Sequence, residues 1–186
     1  MTTRVTTLGI TDASIVAADL ADGAITAAKL ASGVGGKVLQ VVQSTKTDTA
    51  SVTSTSYSSL GLSVSITPSS TSSKILVLVN AKIGWVTGQL RYTALFRDST
   101  QLLTPTSASS RQQASLTWTD ASNSQGIFPA PDMYLDSPAT TSSTTYALYA
   151  KVYSSGTIYI NRSSNDGDSG NDARTASSII AMEIGA

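Results

Sequence analysis

Between Val5 and Gly33 the chain reads VTTLGITDASIVAADLADGAITAAKLASG, and a large apolar residue recurs at Val5, Ile10, Ile15, Leu20, Ile25 and Leu30. A step of five turns an α-helix by about 140°, so it makes no single face. In a strand the same step changes face at every repeat. Neither regular element gathers these side chains on one side, so the segment must use something shorter.

The stretch resolves into units of ten. SIVAADLADG (14–23) and AITAAKLASG (24–33) align Ile15 with Ile25, Ala18 with Ala28, Leu20 with Leu30, Ala21 with Ala31 and Gly23 with Gly33. Each unit closes on Asp-Gly or Ser-Gly, which are turn or helix-stop signals. Thr26 is placed to cap a short helix over AAKLA, whereas its counterpart Val16 is a poor cap. Each unit is therefore predicted to form about one turn of helix closed by glycine. Helical pieces this short are marginal in water. Repeats of this kind bury their apolar residues against neighbours. The expectation is a thin shaft of several chains, with Val5, Ile10, Ile15, Leu20, Ile25 and Leu30 as the assembly residues. An Ala-rich tether is the other reading, and the residue-for-residue alignment of the units argues against it.

SGVGGK (32–37) places Gly33, Gly35 and Gly36 within four positions and reads as a flexible joint. It divides the chain into an arm, 1–36, and a head, 37–186. Beyond it, KVLQVVQSTK, TASVTSTSYSSL, LSVSI, KILVLVNAKIG, LRYTALFRD, ASLTWTD, TYALYAKVY, TIYINRS and SSIIAMEIGA read as strands. Turns are predicted at PAPD (129–132), SSG (154–156) and NDGDSGND (165–172). Many short strands with turn signals between them predict an all-β antiparallel sandwich of the jelly-roll kind. The run Ile75–Val79 is aliphatic throughout, as is much of the last strand. Sandwich strands normally keep one wet face. These two strands are expected to turn one face to the core and the other to a second subunit, with partial cover by loops as the other reading.

Composition narrows the chemistry. The 186 residues hold no Cys and no His, and Lys plus Arg equals Asp plus Glu at 12 each. That removes thiolate zinc sites, cysteine nucleophiles and imidazole-dependent triads, and it leaves no basic footprint for nucleic acid. Charged residues are 13%, while 57 residues are Ser or Thr, so hydroxyls solvate much of the surface. No apolar run reaches the length of a membrane span, and MTTRVTTLGI does not read as a signal peptide.

Candidate chemical groups are few. Asp120, Asp132 and Asp136 could supply the carboxylate pair of a glycosidase, but in a loop-rich stretch they read better as turn residues. No catalytic residue and no enzyme activity is assigned. Asp166, Asp168, Asn171 and Asp172 could hold calcium, yet counting from Asp166 puts Ser177 where an EF-hand needs Glu. A polar loop is the better reading, and no metal or other cofactor is expected. Trp85, Tyr92, Trp118 and Tyr134 are the candidates for a receptor or glycan contact. Some of them must serve the core.

Units such as AITAAKLASG resemble the shaft repeats of bacteriophage fibre proteins. GKVLQVVQSTKTD, GLSVSITPSSTSSKILVLVNAKIG, LDSPATTSSTTYALYAKVYSSGTIYINRS and IIAMEIGA resemble a module recurrent in phage structural and tail-fibre proteins, notably of marine and cyanobacterial phages. The likeness covers 37–83 and 133–186 and leaves 84–132 unmatched. It implies a virion protein. By analogy it implies a homotrimeric jelly-roll head similar to those of tumour necrosis factor and complement C1q. The C-terminal strand would then lie near a three-fold axis, dividing Ile179, Ile180, Met182 and Ile184 between core and trimer interface. Glu183, the one glutamate, would be a solvated edge residue or pair with Lys151, Lys74 or Arg97. The implied function is a fibre whose head contacts a host-surface glycan or protein and whose arm joins other virion proteins. The alternative is a capsid decoration or head-fibre protein whose arm docks on the shell, a reading that the shortness of the arm keeps close.

Overall fold

From Val38 onward short apolar stretches separated by turn residues become the strands of a pair of sheets. The computed structural model describes residues 15–26, 29, 37–85, 90–118 and 126–185. The chain divides into two units, Met1–Lys37 and Val38–Ala186.

In the second unit the strands are β1 (Val38–Lys46), β2 (Ala50–Val52), β3 (Ser58–Ile66), β4 (Lys74–Trp85), β5 (Arg91–Arg97), β6 (Thr100–Gln101), β7 (Leu116–Trp118), β8 (Ile127–Asp136), β9 (Thr144–Val152), β10 (Ile158–Ile160) and β11 (Ser177–Ile184). They form two antiparallel sheets. The first runs β1-β11-β4, with β8 on the other side of β4; β10 also pairs with β4, at Ile83, Gly84 and Trp85, and β2 pairs with β10. The second runs β3-β9-β5, with β6 and β7 both on the free side of β5. The fold is an all-β sandwich.

Period-two patterning explains the layers. On β3, Leu60, Leu62, Val64 and Ile66 point inward and are buried, while Ser59, Ser63 and Ser65 face water. On β4 the inward set is Ile75, Val77, Val79, Ala81, Ile83 and Trp85. Leu148 of β9 and Ile179 and Ala181 of β11 complete the centre of the core.

Two polar clamps tie strands together. Arg97 Nη1 of β5 donates to both oxygens of Asp136 on β8, at 2.9 and 2.8 Å, and Tyr146 of β9 donates its hydroxyl to the same carboxylate at 2.7 Å. This group links the two sheets. Burial, then the bond to Asp136, pushes the Tyr146 hydroxyl well above its ordinary range. The second clamp corrects an expectation. Glu183 faces inward on β11, is fully buried, and takes its bonds from Ser69 and Gln40 rather than from a lysine or arginine.

PAPD, predicted as a turn, lies inside β8. Pro129 and Pro131 stand opposite Lys82 and Asn80. Among the described residues β8 pairs with β4 alone, so it is an edge strand. There a proline whose nitrogen faces outward removes no ladder bond. The predicted strand TASVTSTSYSSL is strand only at Ala50–Val52 and from Ser58 into β3.

In the first unit, Ala17–Asp19 forms a short 3-10 turn. The Val16 amide donates to Asp19 Oδ2 at 3.0 Å, and the Asp19 amide donates back to the Val16 carbonyl at 2.9 Å. A second turn closes between the Ala24 amide and the Ala21 carbonyl, across Gly23 at φ 73°. The local capping at this unit comes from Asp19, not from the residue before the turn.

Candidate functional site

Because directly paired residues in an antiparallel sheet share a face, the register of the first sheet can be read as rows across its outer surface. Val41 lies opposite Met182, Met182 opposite Leu76, and Leu76 opposite Leu135. One step along, Gln43 lies opposite Ile180, Ile180 opposite Leu78, and Leu78 opposite Met133. Val38 and Ile184 extend the surface on the other side. Seven of the eight side chains in the two full rows are apolar, and none is charged. The rim is polar, with Lys74, Asn80, Ser178 and Thr45.

Within the second unit, no described residue covers this face. Met133 is 68% exposed, Val41 55% and Leu135 48%, while Leu76, Leu78, Ile180, Met182 and Ile184 are half-buried. The final strand thus sends Ile179 to the core and Ile180, Met182 and Ile184 outward. The aliphatic run Ile75–Val79 does the same: its odd positions are buried and its even positions lie on this surface. The opposite sheet shows the ordinary arrangement on β3, whose outer face is serine. This continuous apolar sheet surface stands out in a protein otherwise rich in hydroxyls, and it is the candidate interaction site.

The arm shows the same trait. Ile15, Leu20 and Ile25 are 53%, 43% and 52% exposed. Val5, Ile10 and Leu30 lie outside the described residues.

No family model matches the chain, and no curated protein matches it.

The aromatic candidates do not form a platform, which corrects the sequence reading. Trp85 sits at an inward position of β4, is 3% exposed, and stacks on Phe128 with ring centroids 4.5 Å apart. Trp118 packs beside it at 5.9 Å. Tyr134 points inward from β8 and is half-buried against the core. Tyr92 faces outward from β5 yet is buried. Its cover is a cluster that sequence reasoning missed. Lys151 Nζ lies 4.5 Å from the Tyr57 ring centroid and 5.6 Å from that of Tyr92, and donates to Gln112 Oε1 at 2.8 Å. Tyr57 donates its hydroxyl to the Gln113 carbonyl at 2.7 Å, and Phe96 bridges Tyr57 and Tyr149. Burial, with Tyr92 nearby, pushes the Tyr57 hydroxyl up to about 12, and burial lowers Lys151. The cluster fastens residues 112–113 over the second sheet. Its signal was the outward parity of Tyr92, Phe96, Tyr149 and Lys151 on paired strands.

Most of these carboxylates are also engaged, although Asp132 Oδ2 is buried without a hydrogen-bond partner. Asp136 belongs to the clamp with Arg97 and Tyr146. Asp132 points inward from the same strand, and burial raises its pKa, opposed by Ser115. Asp120 lies outside the described residues. In the 165–172 loop, Asp166 is held by Arg174 at 2.5 and 2.8 Å and by Arg162 at 3.4 Å. Asp172 accepts from Ser163, Asn165 and the Gly167 amide. Among the described residues no group of three or more acidic side chains is gathered as a metal site, and no helix is long and apolar enough to cross a membrane.

Proposed function

We propose that the chain is a structural component of a bacteriophage virion: a homotrimeric fibre protein whose arm joins the particle and whose head is presented to the host surface. The observation that carries this reading is the unburied apolar surface of the first sheet, matched by unburied Ile and Leu at five-residue intervals in the arm. A lone chain gains nothing from either. Side chains of this size contribute roughly 1.5–3 kcal/mol each when removed from water, so association supplies the stabilisation that the isolated chain lacks.

The strand pairing supports a jelly-roll head. Taking the main strands in chain order as β1, β3, β4, β5, β7, β8, β9 and β11, the first pairs with the last, the second with the seventh, the third with the sixth and the fourth with the fifth. Nested pairing of this kind is how a long hairpin rolls into two sheets. The resemblance of the arm units and strand motifs to phage fibre proteins supports the virion assignment.

Sedimentation of the purified full chain tests the assembly, with a trimer expected and a monomer at micromolar concentration against it. Gold-labelled antibody on intact particles tests the location. Label on tail fibres supports the fibre role. Label spread over the shell would replace it with capsid decoration.

A further inference from the structure

The outer face of the second sheet gathers rings and hydroxyls. β9 sends Tyr149 and Lys151 outward and leads to Tyr153, which is 57% exposed and lies near Tyr92. β5 brings Tyr92 and Phe96 to the same side, and Tyr57 stands just before β3 within reach of Phe96 and Lys151. Alongside the rings, β3 turns Ser59, Ser63 and Ser65 to water, with Ser59 paired opposite Tyr149.

Lys151 is the one charged side chain at the outward positions of β3, β5 and β9. It sits partly out of water between the Tyr57 and Tyr92 rings, and its hydrogen bond goes to Gln112 Oε1. An ammonium has three donors, so one amide oxygen does not saturate it. Among the described residues the ion pairs join Lys46 to Asp48, Arg97 to Asp136, and Arg162 and Arg174 to Asp166, and none includes Lys151. Burial lowers its pKa because nothing opposite in charge compensates it. Holding residues 112–113 in place does not call for a charge there, since the Tyr57 hydroxyl already donates to the Gln113 carbonyl at 2.7 Å. An arriving anion would supply the missing counter-charge and accept a charge-assisted hydrogen bond.

We infer that this face binds an acidic sugar chain: Lys151 takes its carboxylate or sulfate, Tyr149 and Tyr153 offer ring faces to the sugar rings, and the β3 serines exchange hydrogen bonds with its hydroxyls. This rests on the reading of the head as the part presented to a host surface and names what it would hold there. The mixture of groups selects the ligand. A single cation does not suit nucleic acid, whose binding rests on several phosphates neutralised at once. An extended peptide is held by backbone bonds at a sheet edge, whereas these groups stand on a sheet face. Flat apolar rings, exposed hydroxyls and one sparse charge match a chain made of sugar rings that carries an occasional acid. From Tyr149 to Tyr153 the backbone covers about 13 Å, which leaves room for more than one ring.

The test is calorimetric titration of the purified full chain with sialyllactose, sulfated lactose and plain lactose. At least one acidic sugar should bind saturably and about tenfold more tightly than lactose. The better of the two decides between carboxylate and sulfate. Lys151→Gln should remove the preference for the acidic sugar, and Lys151→Arg should retain it. Tyr153→Ser, at an exposed position, should weaken acidic and neutral sugar alike. Trp85 fluorescence checks that each variant keeps its core. Equal affinity for lactose and both acidic sugars overturns the inference, as does the absence of saturable binding by either acidic sugar. Binding that survives both Lys151→Gln and Tyr153→Ser also overturns it, by placing the sugar elsewhere. None of these results touches the virion reading, which the antibody label decides. Label spread over the shell would remove the fibre role and leave a measured sugar site standing.

Discussion

Ser69 donates twice to one oxygen of Glu183, from its amide at 2.7 Å and from its hydroxyl at 2.6 Å, while Gln40 Nε2 donates to the other oxygen at 2.6 Å. The carboxylate therefore ties β11, β1 and the segment after β3 at one point. Burial alone would raise its pKa. The bonds from Ser69 and Gln40 outweigh burial and hold it down to about 2, from an ordinary 4.5. A lowered carboxylate stabilises the fold above its unfolded pKa and loses that contribution as pH falls.

Two outcomes follow for Glu183→Gln. At pH 7 the variant should lose about 1–3 kcal/mol, because an amide cannot accept all three charge-assisted bonds and leaves donors facing one another. The native protein should lose stability as pH drops from about 4.5 toward about 2. The variant should lack that part of the decline. Denaturant melts at pH 7, 4 and 2.5 measure both, and parallel pH profiles for the two proteins would remove Glu183 as the cause.

Gly84 is fixed by space rather than by backbone angle. A Cβ built on it meets the Arg162 carbonyl oxygen at 2.2 Å and the Ser163 Cα at 3.1 Å. Both are backbone atoms, so no rotamer relieves the overlap. Gly84→Ala should cost about 1–3 kcal/mol and loosen the segment after β10. A thermal melt within a degree of the native protein would show that the segment yields freely.

Much of this architecture was legible in the sequence, and the failures have physical causes. β1, β3, β4, β5, β9 and β11 were legible as apolar and β-branched stretches between turn signals; alternation marks β3, whereas β4 and β11 are aliphatic on both faces and β5 is largely buried on both. β8 was hidden because Pro129 and Pro131 are turn residues everywhere except on an edge whose free side needs no N–H. Glu183 was read as an edge charge because no local pattern shows that Ser69 and Gln40, far away in sequence, will surround it. Trp85 was set aside for binding although its odd position on β4, in register with Ile83, already pointed inward. The apolar outer face was visible as a run of aliphatics without alternation. Its rows needed the register.

The outer face and the core should answer to the same mutation in different ways. Met182 lies between Val41 and Leu76 on the outer surface, and Ile179, three residues earlier, is fully buried. Ile179→Lys should cost about 3–5 kcal/mol by burying an unpaired charge, and the head should fail to fold. Met182→Lys should leave the circular dichroism of the sandwich intact and shift sedimentation toward the monomer. Loss of fold in both variants would assign Met182 to the core as well, and an unchanged oligomer with Met182→Lys would take the first sheet out of the interface.

The arm can be separated from the head in the same manner. Ile15, Leu20 and Ile25 are each about half exposed in the single chain, and Gly23 turns the backbone at φ 73° where one ten-residue repeat ends and the next begins. An exposed apolar residue at every fifth position is wasted on a tether, which needs only polar residues and glycine. In a bundle of arms, each such residue removed from water contributes roughly 1.5–3 kcal/mol, repeated along the arm and across the chains. That sum can offset the ordering of a thin segment, about 1–2 kcal/mol for each backbone residue fixed, where a single arm could not. Leu20→Asp and Ile25→Asp should therefore abolish attachment to the particle while the head keeps its fold and melting temperature. A particle-binding assay with the purified variants decides the matter. Normal attachment by both would mean that these side chains stay in water after assembly, and the repeat would then need another explanation.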